Sequence, residues 1–153
     1  MRLDEEIKAT ATDRLAADEA TLRDKLVEGL FTELPSVLHA SFIDLLTGSV
    51  LSRKVRGTSA IAVSLLAARL PNLAMYLAEV ANAEQDEVEM IEMSTSRASI
   101  LVAMVPGAQE AVAVIAGKAQ PAVLIRAALT RAVRGYATRL HPTRGVNLVV
   151  GPS

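Results

Sequence analysis

Between Thr58 and Ala83 the chain reads TSAIAVSLLAARLPNLAMYLAEVANA, with Arg69 and Glu79 as its only charges. A helix on the surface of a lone globular domain carries one apolar stripe and one polar face. This stretch is apolar nearly all round, so a helix formed here needs cover on two sides. At 3.6 residues per turn, Val63, Leu66, Leu70, Leu73, Leu77 and Val80 fall together as a large-residue side suited to a sheet. Ser64, Ala68, Asn72, Met75 and Glu79 collect opposite, with Ile61 alongside. These are mostly small and let a second backbone approach, and Met75 adds an adaptable anchor. Pro71 lies mid-segment, where proline removes a hydrogen bond and clashes with the preceding turn. A kink near Leu70, or two helices meeting there, is therefore expected.

The same stretch is long enough to span a bilayer. Arg69, Pro71 and Asn72 stand at its centre, however, and a central arginine costs roughly 2.5–3.5 kcal/mol on insertion scales. A soluble helix shared with a partner is the preferred reading. The N-terminus, MRLDEEIKATATDR, has no apolar core and does not read as a secretory signal. A cytoplasmic location is expected, and the richness in Ala and Arg fits a bacterial source.

Composition narrows the chemistry. The 153 residues contain no cysteine, which excludes disulfides, thiolate nucleophiles and cysteine-based zinc sites. The aromatic residues are Phe31, Phe42, Tyr76 and Tyr136, too few for a stacking platform, and the net charge of −1 provides no field for DNA. No nucleic-acid partner is expected. Neither GxxxxGK[ST] nor GxGxxG occurs, so the chain does not read as a nucleotide-binding GTPase.

Around the central helix the elements alternate. Residues 2–34 read as a long helix, with Leu3, Ile7, Ala11 and Leu15 at spacing four and Leu22, Leu26 and Leu30 repeating it. Residues 37–44 read as a strand with Leu38, Ala40 and Phe42 on one face, and Val37, His39, Ser41 and Ile43 on the other. Thr47-Gly48-Ser49 supplies a turn into a return strand at 50–55, and Thr58 or Ser59 caps the central helix. Strands follow at 88–94, 98–105 and 109–116. The last two are apolar on both faces, which calls for helices on both sides of the sheet. A helix over 121–138 presents Leu124, Ala128, Leu129, Ala132 and Val133 inward and Arg126, Arg131 and Arg134 outward. Residues 139–153 read as a tail.

Three segments then carry a resemblance: HASFIDLLTGSVL, the Ala/Leu-rich helix at 60–82, and ILVAMVPGAQEAVAVIAGKAQPAVLIRAALTRAV. Together they resemble the Roadblock/dynein light-chain superfamily. The resemblance implies an α+β, profilin-like fold in the order α-β-β-α-β-β-β-α. In it a five-stranded antiparallel sheet has the central helix on one face and the terminal helices on the other. Residues 1–34 would be an N-terminal helix ahead of a Roadblock-like domain at 35–138. Members of the superfamily pair as homodimers through the central helix and the third strand, are not enzymes, and regulate or scaffold small Ras-like GTPases. Carried onto this chain, the expected interface comprises Ile61, Ser64, Leu65, Ala68, Asn72, Met75 and Glu79 on the helix, with Glu89, Ile91 and Met93 on the strand.

Other candidate chemistry reads as structural. His39 and His141 are not spaced as metal ligands, and Asp44 reads as a turn residue. The acids at 84–92 lack the pattern of a calcium loop and read as a solvated edge that discourages wrong pairing. No catalytic residue, metal or cofactor is expected. Acids outnumber bases nine to five over 2–34, whereas Glu110 is the only acid in 97–153. That asymmetry reads as attraction between the first and last helices, or as steering toward an acidic partner. Two other functions stay open: a small-molecule sensor of similar architecture, and a structural subunit of an oligomer.

Overall fold

The computed structural model describes residues 2–57 and 60–140, apart from the side chains of residues 2–14, 16 and 60–62. The expected cap at Thr58 or Ser59, the side chain of Ile61 and the tail from His141 onward lie outside the described residues. The elements are α1 (Arg2–Glu33), β1 (Val37–Asp44), β2 (Val50–Val55), α2 (Ala60–Ala83), β3 (Met90–Ser94), β4 (Ala98–Met104), β5 (Glu110–Gly117) and α3 (Ala122–Leu140). The five strands form one antiparallel sheet in the order β2-β1-β5-β4-β3. The fold class is the expected α+β arrangement.

The two faces of the sheet are covered unequally. On one, α1 and α3 bury Val27, Leu30, Ile125 and Leu129 against Ala40, Phe42, Leu101, Val112 and Val114. On the other, α2 buries Ala67 and Leu70 against Ile43, Val102, Ala111 and Ala113. The second half of α1 is thus part of the main core. No residue of α2 beyond Leu73 belongs to either cluster.

Two core positions differ from the strand and helix patterns read in sequence. The register of β1 against β5 slips between Val37 and His39, a bulge that flips the alternation. Val37 therefore packs with Ala40 and Phe42, and Leu38 is left at the surface. In α3 the buried set is Ile125, Ala128, Leu129, Val133 and Tyr136, so Leu124, expected inside, is exposed. Tyr136 and Ile125 set the helix phase, and Leu124 stands 100° away from it.

Pro71 does not divide α2, which runs as one helix from Ala60 to Ala83. Proline at 71 leaves the Ala67 carbonyl without its helical N–H donor. The β1–β2 turn approaches that point. Gly48 has φ of 77°, and a Cβ on it would stand 2.9 Å from the Ala67 oxygen and 3.6 Å from both the Ala68 Cα and the Pro71 Cγ. Only glycine combines this left-handed backbone with so close an approach. Gly48→Ala is expected to cost about 2 kcal/mol, from left-handed strain plus crowding, measured by urea unfolding.

Candidate interaction surface

Among the described residues, the outward face of α2 leaves a run of large apolar side chains uncovered. Leu65, Met75, Tyr76 and Val80 are 59%, 60%, 70% and 69% exposed, and Ser64, Ala68, Asn72 and Glu79 are exposed among them. Sequence reasoning placed Val80 on the sheet-facing side. The helix has passed its last core residue there, so nothing lies beneath it. Tyr76 and Val80 are therefore surface residues that the sequence pattern did not single out.

The two flanks of α2 have different neighbours. Ala67, Ala68 and Pro71 face the β1–β2 turn through Gly48. The opposite flank holds Leu66 and Leu73, which, like Ile91, Ile100 and Met104, pack against the smaller core cluster. Arg69, Tyr76 and Val80 continue this flank outward, away from the β1–β2 turn. Among the expected interface residues, Ala68, Asn72 and Glu79 lie on the crest, Leu65 leans toward the Tyr76 flank, and Ser64 and Met75 lean toward the turn.

Strand β3 closes the sheet on that side as an edge strand. Ile91 pairs with Val102 and Met93 with Ile100, so both belong to the face that carries α2. Met93 is 48% exposed. Glu89 precedes the strand; its carbonyl accepts the Met104 N–H at 2.9 Å, and its side chain is exposed. Ile91 and Met93 thus place apolar side chains, on the sheet face that carries α2, beside an open row of main-chain groups. On the reverse face Glu92 pairs with Arg126 of α3 through two hydrogen bonds, which hold the Glu92 carboxyl below the usual carboxylate range.

Most remaining charges serve the fold. Asp44 Oδ1 accepts the Leu46 N–H at 2.8 Å within the β1–β2 turn. Lys54 pairs with Glu28 at 3.0 Å; Arg56 donates to the Phe31 carbonyl at the end of α1 and lies over the Phe31 ring. Arg131 of α3 pairs with Glu33 of α1 at 2.6 Å. Among the described residues no group of His, Asp and Glu side chains is placed to hold a metal, and no helix is long and apolar enough to cross a membrane.

His39 is buried in β1, and its Nδ1 has no hydrogen-bond partner among the described residues. Burial pushes its pKa down, so the folded protein resists protonating it. The unfolded chain takes up that proton near pH 6.5, so stability falls as pH drops below that value and through the lower folded pKa. His39→Leu is expected to flatten the decline in urea midpoint between pH 7 and pH 5.

No family model matches the chain, and no curated protein matches it. Solved structures do. A Roadblock/LC7 domain from Streptomyces avermitilis superposes with a TM-score of 0.64 at 19% identity, covering 78% of this chain and 97% of that one. The chain has the Roadblock/LC7 fold. The gliding protein MglB from Thermus thermophilus shares the fold at TM-score 0.68 and 17% identity, covering 80% of this chain and 88% of its own. MglB from Myxococcus xanthus does so at 0.64 and 15%, covering 82% and 96%. One further Roadblock-fold neighbour is described as MglB with a tetrameric arrangement.

A separate cleft of about 610 Å³ opens on the reverse face of this Roadblock fold, between the start of β3, the β4–β5 turn and α3. Met90, Ala103, Val105 and Val133 give it an apolar floor, and Arg126, Thr130 and Arg134 line one wall.

Proposed function

We propose that this chain is a non-catalytic, cytoplasmic bacterial module that pairs with a second copy of itself and regulates or scaffolds a small Ras-like GTPase. One observation carries the reading: the exposed apolar crest of α2, with Tyr76 and Val80 on the flank away from the β1–β2 turn, shares one face of the sheet with Ile91 and Met93 of an open edge strand. An apolar helix beside an unpaired edge strand is a surface that a second copy completes, by helix packing and by strand pairing. The pairing surface is Leu65, Ala68, Asn72, Tyr76, Glu79 and Val80 on α2 with Glu89, Ile91 and Met93 at the edge. Ser64 and Met75 stay on its turn-facing margin. The Roadblock resemblance supports the GTPase partner, as does the fold shared with MglB.

The test is affinity capture with the full chain from its native cell, scored for small GTPases, followed by nucleotide-hydrolysis assays with the captured protein. Recovery of a GTPase whose turnover or location changes with this chain supports the reading. Repeated recovery of none, with the chain itself intact, ends it. The cleft between β3 and α3 favours a second reading, a small-molecule sensor, because its volume and apolar floor suit a metabolite. Thermal stabilisation by a metabolite, lost in Arg134→Ala, would identify that function instead.

A further inference from the structure

We propose that the groove between α1 and α3 seats the N-terminal half of α1 from a second copy of this chain. This contact is separate from the α2–β3 surface and does not depend on it. The groove measures about 300 Å³ and has an apolar floor that includes Leu22, Leu26, Leu30 and Ala132.

Two glycines give the groove its depth. Gly29 of α1 and Gly135 of α3 both line it. Neither has a positive φ, and a Cβ added to either would meet nothing within 4 Å. The fold of a single chain therefore does not require glycine at either position, although mid-helix glycine weakens a helix. Two such residues on facing helices allow a third helix to approach closely.

The rim specifies the charge of that helix. Lys25, Arg131 and Arg139 line the groove with a single acid, Glu33, and Arg131 already occupies Glu33. Among the described residues Lys25 and Arg139 have no ion-pair partner. The visitor should be acidic, with one apolar row.

The first half of α1 fits that description. At 32 residues α1 is about 48 Å long, while an eight-residue strand spans about 27 Å. Among the described side chains the core contacts of α1 begin at Leu22, and Leu15 is 63% exposed. Positions 2–18 carry five acids against three bases, with Leu3, Ile7, Ala11 and Leu15 at spacing four. Because the second half of α1 forms one wall of the groove, two antiparallel copies exchange first halves reciprocally. Each groove is filled once and the pair closes on a two-fold axis.

Sedimentation of the full chain over a concentration series at low salt provides the test. Four forms are compared: the native sequence, Tyr76→Arg, the pair Gly135→Leu with Arg139→Glu, and all three changes together. Leucine is a better helix former than glycine and position 135 is open, so the fold survives; an unchanged melting temperature checks this. Lys25→Glu, also at an exposed position, serves as a second variant. The Tyr76→Arg form is expected to remain paired through α1. The triple form, and Tyr76→Arg combined with Lys25→Glu, should show dissociation constants raised at least tenfold. Equal masses for the Tyr76→Arg and triple forms at every concentration would overturn the proposal and leave the groove to some other helix. Failure of the α2–β3 reading looks different: Tyr76→Arg would then leave the native mass unchanged, while the Gly135→Leu, Arg139→Glu pair would lower it.

Discussion

Arginine in place of Tyr76 is expected to abolish pairing through α2 and β3. Tyr76 is 70% exposed within one copy, so the substitution leaves the core of that copy intact and its melting temperature nearly unchanged. In the proposed pair the same position is covered, on the flank away from the β1–β2 turn. A guanidinium buried there without a partner costs about 3 kcal/mol per copy, and a symmetric pair bears the cost twice. At 1.4 kcal/mol per tenfold, affinity should fall more than a thousandfold. Size-exclusion chromatography with light scattering reads the result, taken at high salt and in a Gly135→Leu background so that only one surface is in question. Met75→Arg separates the flanks. Met75 stands one turn beyond Pro71, on the side that faces the Gly48 turn, so arginine there should leave the mass unchanged. If Met75→Arg dissociates the pair and Tyr76→Arg does not, the turn-facing flank of α2 is the pairing surface.

Which flank of α2 faces the β1–β2 turn marks the limit of sequence reading for this chain. The order of elements was legible because periodicity changes sharply, from 3.6 in residues 60–83 to continuous apolar runs in 98–117, with Pro106-Gly107 between. Two-sided cover of the sheet followed from the same runs. The facing of single residues was less accessible. A bulge in β1 reverses Val37 and Leu38, and nothing in VLHASFID announces the slip because both are apolar. Helix phase in α3 was misjudged at Leu124 because Ala, Leu and Val allow two adjacent stripes, and only the pairing of Tyr136 with Phe42 selects one. The candidate surface required knowing which flank of α2 the β1–β2 turn occupies. That is a long-range fact fixed by Gly48 against Ala67 and Pro71. Proline at 71, expected to kink the helix or to join two, stands inside one continuous helix at the site where the turn docks.

Removing the Glu110 side chain should destabilise the fold as strongly as opening a cavity in its core. Glu110 begins β5 and accepts a hydrogen bond from Arg23 Nε of α1 at 2.9 Å; its other oxygen lies 3.5 Å from the Tyr136 hydroxyl of α3. Arg23 also lies over the Phe42 ring of β1, and Phe42 meets Tyr136 edge to face at 4.8 Å. One carboxylate thus links three elements, and the Phe42 ring adds β1 through Arg23 and Tyr136. The side chains of Arg23 and Glu110 are only 17% and 14% exposed, so the pair is poorly screened. Glu110→Ala strands the guanidinium in that setting, with only the exposed Glu19 at 3.4 Å in compensation. The expected loss is about 2–3 kcal/mol in urea unfolding, or roughly 6–9 °C in melting temperature for a chain of this size. Arg23→Met combined with Glu110→Leu should recover most of it, because an apolar pair of similar volume avoids burying any charge. Alkali gives an independent reading of the same cluster. Burial, with a contribution from Glu110, pushes the Tyr136 hydroxyl up to about 12 from an ordinary value of 10.0. The unfolded chain releases that proton first, so stability is full below pH 10 and declines as pH rises toward 12. Tyr136→Phe should remove that decline while leaving stability at pH 7 within about 1 kcal/mol of the native protein, since it deletes one long hydrogen bond and keeps the ring against Phe42. A Glu110→Ala protein as stable as the native one at pH 7 would mean that the Arg23–Glu110 pair does not hold α1, β5 and α3 together.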